Sequence, residues 1–257
     1  MGVSMFYFPK LPIGKLTMKR FSVVVCAAVM AASSGALFAA DALNNDQLKA
    51  KLAKMLPQAN ITAVNDIGVP GIREVDVSGE VLYISEDGKH LFQGDIYSIE
   101  KEMVNLTEKR RNATRKKLMD AVDEKELISF GDKDAKHTVT VFTDIDCPYC
   151  AKLHNEMDQY NAEGIRVQYL FFPRAGVKSP SGDKAVSVWC SDDQQKAMTT
   201  AKSGGDVGKK TCDNPVQAHF DLGQKVGVTG TPAIISEDGQ LLPGYIPAKR
   251  LSKYLEQ

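Results

Sequence analysis

Two cysteines two residues apart, in Cys147-Pro148-Tyr149-Cys150, stand between a strand-like run over 138–143 and a helix-like run over 151–157. At such a junction the unpaired N–H groups and dipole of the helix N-terminus stabilise a thiolate, and a second thiol one turn on can close a disulfide with the first. This spacing points to thiol–disulfide exchange, with Cys147 as nucleophile and Cys150 as the more buried, resolving thiol. Pro148 suits a first helical turn, where an absent N–H costs nothing. A structural zinc site would need two further ligands. Cys190 and Cys212 are twenty-two residues apart rather than a second close pair, and His154 lies on the same helix as Cys150.

A second signature, Thr229-Gly230-Thr231-Pro232, follows at the head of another strand pattern. A proline there ordinarily marks an edge. Paired with an upstream C-x-x-C, it reads as a cis-proline that brings the Thr231 backbone beside Cys147, where it can pair with an extended substrate peptide. Cys190 and Cys212, if bonded, close a loop over a helical insertion, a structural use favoured over a second active pair because neither has C-x-x-C spacing or opens a clear helix. Trp189, Tyr169, Phe171 and Phe172 read as core. His90, His137 and His219 show no partner pattern; His154, one turn after Cys150, leaves room for an electrostatic role.

The elements that must position these residues begin with a short amphipathic helix over 44–57, carrying Leu48, Leu52, Met55 and Leu56 and capped by Asn45 or Asp46. Strand-like pieces follow over 71–77, 81–84, 90–92 and 95–97, with Asp87-Gly88 as a hairpin turn. So small a unit gains stability by pairing an open sheet edge with a second copy. Residues 106–126 form an exposed connecting helix whose basic cluster is a solvated face. From His137 the pattern is a strand to Asp144, a helix over 150–160 with Leu153, Met157 and Tyr160 on one face, and a strand over 165–172, a βαβ unit. A helical insertion over 183–203 comes next, then a helix opened by Pro215 and closed by Gly227. A strand over 228–236, a turn at Asp238-Gly239, a partner at Leu241-Leu242 and a last helix over 247–257 complete the chain.

Ahead of all this, Lys15, Lys19 and Arg20 precede an apolar run over 21–32 and then small residues, the layout of a cleaved secretory signal peptide over 1–40, with cleavage after Ala39 or Ala40. Ser33, Ser34 and Gly35 interrupt the run, which disfavours a retained anchor, and Met18-Lys19-Arg20 would make the more ordinary start. The neutral chain of 257 residues loses four positive charges with that segment, so the mature part carries a net −4, a balance that speaks against nucleic-acid binding. Of five cysteines Cys26 leaves with the leader, and the even remainder suits paired thiols in an oxidising compartment.

The stretch from Val141-Phe142-Thr143-Asp144 through Cys147-Pro148-Tyr149-Cys150 to Leu153-His154, with Trp189-Cys190, Gly227-Val228-Thr229-Gly230-Thr231-Pro232-Ala233, Leu242-Pro243-Gly244-Tyr245 and the amino-terminal Gly79-Glu80-Val81-Leu82-Tyr83-Ile84-Ser85-Glu86-Asp87-Gly88-Lys89-His90, resembles the periplasmic disulfide isomerases of the DsbC type. The resemblance implies a mixed α+β and α/β chain. A small amino-terminal, cystatin-like α+β dimerisation domain (41–103) joins through a linker helix (104–127) to a thioredoxin-fold catalytic domain with a helical insertion (128–257), in a V-shaped homodimer. It implies Cys147 and Cys150 as catalytic, Tyr149, Thr231 and cis-Pro232 as substrate-facing, Cys190 and Cys212 as a structural disulfide, and no cofactor or metal. The partners implied are mis-oxidised exported proteins and an inner-membrane thiol reductant of the DsbD type. One departure is Pro148, where DsbC-type proteins usually carry glycine; Pro-Tyr is found in the DsbG type and in glutaredoxins, and the dipeptide tunes redox poise. The rival readings are therefore a DsbG-like reductase protecting single oxidised cysteines, a periplasmic chaperone with incidental thiols, and a dithiol oxidase.

Overall fold

The computed structural model describes residues 42–77 and 80–257; the leader over 1–40 and Gly79 of the amino-terminal motif lie outside the described residues. Asn44 caps helix α1 (Asn45–Met55). Its Oδ1 accepts from the Gln47 N–H at 2.9 Å while Gln47 Oε1 accepts from the Asn44 N–H at 2.9 Å, which sets the cap one residue before Asn45. Leu48 and Leu52, a turn apart, enter a core with Ile61, Val64, Val75 and Ile84. Those side chains come from an antiparallel sheet in simple sequence order, β1 (Ile61–Asp66), β2 (Ile72–Val77), β3 (Glu80–Ser85) and β4 (Leu91–Phe92). Strand β1 was not among the expected pieces, because only Ile61 and Val64 of its six residues are buried and the alternation is too weak to read. The Asp87-Gly88 turn joins β3 to β4 as expected, Gly88 taking the left-handed conformation (φ +66°) and donating its N–H to Ser85 O at 2.7 Å.

A two-residue ribbon, β5 (Tyr97–Ser98) with β6 (Val104–Asn105), leads into α2 (Leu106–Met119). This helix is shorter than the 106–126 expected. A 3₁₀ turn at Glu124–Glu126 follows it, and this break lets Leu118, Met119, Val122 and Leu127 all reach one core. Nor is α2 simply exposed. Thr107 is buried against Tyr83 of β3 (Oγ1 to hydroxyl 2.5 Å), Arg110 pairs with Glu74 of β2 at 2.9 Å, and buried Arg115 donates to Val226 O at 2.9 Å.

The carboxy-terminal sheet runs in the order β11-β10-β8-β9-β7, formed by β7 (Ile128–Phe130), β8 (His137–Thr143), β9 (Ile165–Phe171), β10 (Ala233–Ile235) and β11 (Leu241–Pro243). Only β8 and β9 are parallel, the expected βαβ pair; β7, too short to show a period, closes one edge antiparallel to β9. Both faces are covered, so alternate residues serve two cores. Val139, Val141, Ile165, Val167 and Tyr169 point into one, and Phe142, Leu170, Phe172 and Ile235 into the other. The helix expected over 150–160 is two, α3 (Pro148–Asn155) and α4 (Met157–Ala162), broken at Glu156, whose carboxylate accepts from the Tyr245 hydroxyl. The bend keeps Leu153, Met157 and Tyr160 in the same core.

The insertion is likewise two helices, α5 (Pro180–Trp189) and α6 (Gln194–Lys202), separated where Asp193 caps α6 through the Lys196 N–H at 2.9 Å. Helix α7 (Val216–Lys225) follows Pro215 and stops before Gly227, and α8 (Ala248–Leu255) ends the chain. Strand β10 is three residues rather than the nine of 228–236, because Pro232 offers no N–H to a ladder and the chain before it is a loop. Cys190, the C-cap of α5, is bonded to Cys212 with Cα atoms 5.7 Å apart. Among the described residues no helix is long and apolar enough to cross a membrane.

Two stability outcomes follow from this packing. The loop closed by the disulfide spans a separation of 22 residues. Replacing Cys190 and Cys212 together by alanine should cost about 3 kcal/mol in urea unfolding; unchanged stability would show that the crosslink does not restrain the unfolded chain. Gly239, at φ +85°, lies so close to α2 that a Cβ would stand 2.1 Å from Asn112 O. Gly239→Ala should therefore cost about 2–4 kcal/mol, from left-handed strain plus backbone overlap, and a wild-type unfolding curve would contradict the seating of α2 on this turn.

Candidate active site

Strand β8 ends at Thr143, and the three residues Asp144-Ile145-Asp146 carry the chain to Cys147 at the mouth of α3. Cys147 is the N-cap (φ −84°, ψ 119°) and Pro148 occupies the first turn, so the helix begins two residues before the expected Cys150. A cysteine makes no side-chain cap here, which leaves the first N–H groups of α3 directed at its sulfur. The Thr231–Pro232 bond is cis, and the Cys147 thiol donates to Thr231 O at 3.2 Å, across 84 residues of sequence. The two signatures thus meet through β10, which pairs with β8 in the register Ala233 to Phe142. Gly244 N–H donates to Pro232 O at 2.8 Å and fixes the proline loop from the β11 side.

Both sulfurs belong to nearly closed residues, Cys147 2% and Cys150 1% exposed, and Cys150 is the more deeply enclosed of the two, as expected. Their surroundings differ as well. Burial pushes the Cys147 thiol up, but hydrogen bonds from Thr231, from Cys150 and from the backbone of Cys150 and Tyr149 outweigh it and hold the group below the ordinary thiol range. The Thr231 hydroxyl is buried and, among the described residues, is committed to no group other than the two cysteine sulfurs, so it is available to a thiolate. Burial pushes Cys150 up and wins over the charge of Lys202 and hydrogen bonds from Thr143 and the Asp144 backbone. The two thiols are thus set apart, Cys147 below the ordinary thiol range and Cys150 above it. Pro148 and Tyr149 between them face solvent, Tyr149 with 64% of its surface exposed.

Behind the pair lies a polar network whose members carry no local sequence signal. Asp144 is buried and accepts from Ser181 Oγ at 2.5 Å, from the Arg174 N–H at 2.8 Å and Nε at 3.1 Å, and from the Asp146 N–H at 2.8 Å. Burial alone would raise its carboxyl; these bonds prevail and keep it below the usual carboxylate range, so the loop is pinned by a permanent charge. Lys202, from the end of α6, reaches the same place from the other side. It donates to Thr143 Oγ1 and to Asp144 O, each at 2.7 Å. Its partners lie 59 and 58 residues earlier in the chain, and only its position after the apolar stripe Ala197, Met198 and Ala201 hinted that it turns inward. His154 is a buried strut, bonded to Tyr169 and Thr199 and pushed down to about 4 by burial and by Lys202. His219 is also buried, stacked on Phe171 and pushed down to about 4 by burial. Among the described residues no three of His, Cys, Asp and Glu converge as metal ligands.

Comparison with known proteins bears on both halves of the chain. Residues 38–108 match the family described as the disulfide bond isomerase protein N-terminal domain, and residues 124–257 match the thioredoxin-like domain. The thiol:disulfide interchange protein DsbC of Dickeya dadantii is 43% identical over 194 residues, 75% of this chain and 79% of that protein. The protein of the same name from Escherichia coli K12 is 39% identical over 230 residues, 89% of this chain and 93% of its own. Among solved structures, the disulfide interchange protein from Neisseria gonorrhoeae covers 52% of this chain and 96% of its own at 31% identity, with a TM-score of 0.47. With a thiolate-stabilising Cys147, a cis-proline beside it and this agreement along both halves, the chain belongs to the DsbC family of thiol:disulfide interchange proteins.

Proposed function

We propose that this thiol:disulfide interchange enzyme works in the periplasm as a dimeric disulfide isomerase and reductase, with Cys147 as its nucleophile and Cys150 as its resolving thiol. The observation that carries the assignment of roles is the placing of the Cys147 sulfur at the open N-terminus of α3, 3.2 Å from Thr231 O beside cis-Pro232. The Cys147 thiolate attacks one sulfur of a wrong disulfide. A Cys147–substrate bond forms, the substrate S–S bond breaks, and the second substrate sulfur leaves as a thiolate. If another substrate thiol then displaces Cys147, the substrate is isomerised with no net electron transfer. If Cys150 displaces it, the substrate is reduced by two electrons and Cys147 and Cys150 become a disulfide, which a dithiol donor of the DsbD type must reduce again.

Substrate recognition in this reading uses the Thr231 backbone as a short strand edge, with Pro232 and the exposed Tyr149 as walls, a mode that favours unfolded segments over any one sequence. Dimerisation is assigned to the amino-terminal part, 41–103, with 104–127 as the connection and 128–257 as the catalytic domain. Support comes from an unpaired β4 edge and from exposed Leu91, Phe92, Tyr97, Ile99 and Met103 on and around the short strands, a concentration of apolar surface that a second copy would cover. The leader over 1–40 supports the periplasm. Pro148-Tyr149 favours a second reading, a reductase of the DsbG kind acting on single oxidised cysteines.

Incubation with a scrambled multi-disulfide substrate in glutathione buffer should restore native substrate activity. Cys147→Ser should abolish this effect, while Cys150→Ser should accumulate a protein–substrate mixed disulfide visible on a non-reducing gel. Equal recovery with Cys147→Ser would overturn the assignment, and a monomer in sedimentation would remove the dimer. Because the depressed value of Cys147 places its thiolate at lower pH than a free thiol, its alkylation rate should rise and level off below the ordinary thiol value of about 8.5. A titration coincident with a free cysteine peptide would contradict the site's electrostatics.

A further inference from the structure

Lys202 lies against the site and takes no part in the exchange reaction above. It is 4% exposed, and among the described residues it has no ion pair, although stripping water from an ammonium costs several kcal/mol. Two hydrogen bonds to neutral oxygens, Thr143 Oγ1 and Asp144 O, are its compensation. A methionine would fill such a position without that cost, so a purely structural reading leaves the charge unexplained. The Thr143 hydroxyl that Lys202 holds also acts on the Cys150 thiol through a hydrogen bond, so the ammonium and the resolving thiol share one hydroxyl.

We infer that Lys202 accepts the Cys150 proton, through the Thr143 hydroxyl, when Cys150 displaces a substrate from Cys147. The inference rests on the proposed exchange roles of the two cysteines and adds to them a source of the second nucleophile. A protonated, buried thiol does not attack; Cys150 must lose its proton at a place water scarcely reaches. Neutral Lys202 takes it, leaving Cys150 as thiolate beside a newly formed ammonium. The thiolate bonds to Cys147 Sγ, the Cys147–substrate bond breaks, and the departing substrate sulfur keeps the electron pair and takes a proton from water. When a dithiol donor reduces the Cys147–Cys150 disulfide, the ammonium returns its proton to Cys150. The relay thereby sets how often resolution by Cys150 outruns rearrangement by a substrate thiol, which is the balance between reduction and isomerisation.

The neighbours of Lys202 suit this role. Burial pushes Lys202 down to about 8, against the pull of Cys150, Asp144, Cys147 and Asp146, so a neutral fraction exists at neutral pH. Asp144 is permanently ionised but committed to Ser181 and Arg174, and Asp146 pairs with Lys184 at 2.6 Å. His154, at about 4, stays neutral, and burial raises Tyr169 well above its ordinary value. Of these neighbouring groups, Lys202 is the one that burial brings close to neutrality.

The test is a single-turnover reaction of the reduced full-length protein with a glutathionylated cysteine peptide, acid-quenched across pH, so that formation and decay of the mixed disulfide are read separately by mass. Wild type should resolve faster as pH rises, with a midpoint near that of Lys202. Lys202→Met and Thr143→Val should each slow resolution by about 100-fold and flatten its pH profile, with a far smaller effect on mixed-disulfide formation. Lys202→Arg should be slow as well, because a guanidinium keeps the charge but cannot accept a proton. Wild-type resolution by Lys202→Arg, or equal slowing of formation and decay in Lys202→Met, would overturn the relay in favour of a fixed charge or a structural strut. Absence of any mixed disulfide in the wild type would overturn the exchange reading and the relay with it.

Discussion

A sulfur that must be an anion while almost dry has to be held by donors already in place, and this requirement governs the catalytic domain. Water would stabilise a thiolate at no structural cost, but it would also solvate the substrate and loosen the geometry of attack. Cys147 instead has the first N–H groups of α3 and the Thr231 hydroxyl around it. Those donors belong to segments far apart in the chain. They stay together only because β8 and β10 are neighbours in the sheet, register to register, with cis-Pro232 turning the chain where the ladder begins. The sheet is thus less a container for the site than the ruler that sets the distance between its halves.

The same economy explains the polar interior behind the pair. A loop of three residues between β8 and α3 carries a buried carboxylate, and a long lysine enters from the end of α6 in the helical insertion. Neither charge meets the other directly. Asp144 is neutralised by Ser181, Arg174 and backbone N–H groups, while Lys202 rests on a hydroxyl and a carbonyl. Separating the two in this way keeps the carboxylate ionised and the amine easily deprotonated, whereas a direct ion pair would have fixed both. The insertion therefore contributes to the site's electrostatics, and its tie through Cys190 and Cys212 restrains the segment that delivers Lys202.

Helix α2 gives the amino-terminal sheet its connection to the rest. Its charged sequence looks like a solvated spacer, yet Thr107 and Arg110 bind the first sheet and Arg115 binds the loop after α7. Gly239 lets the β10–β11 turn approach the helix backbone more closely than any other residue type would. A helix gripped at both ends transmits position, which matters for any arrangement in which two catalytic domains face a common substrate.

How much of this was legible in one dimension depends on whether the physical signal is local. Cys147 and Cys150 could be read because helix spacing and a strand-to-helix junction are properties of a dozen neighbouring residues. Helix α1, the Gly88 turn and the parallel β8–β9 pair were visible for the same reason. Strands β1, β6 and β7 were not, since two- to six-residue segments with weak alternation are stabilised by their partners rather than by their own pattern. The break at Glu156 and the shortening of α2 likewise answer to the cores they must reach. Residue type and spacing determined that the chain carries an exchange-type thiol pair and a proline to face it. Tertiary structure alone decided that Thr231 stands at the first sulfur and Lys202 behind the second, because desolvation and hydrogen bonding act through space and a lysine in isolation reads as a surface charge.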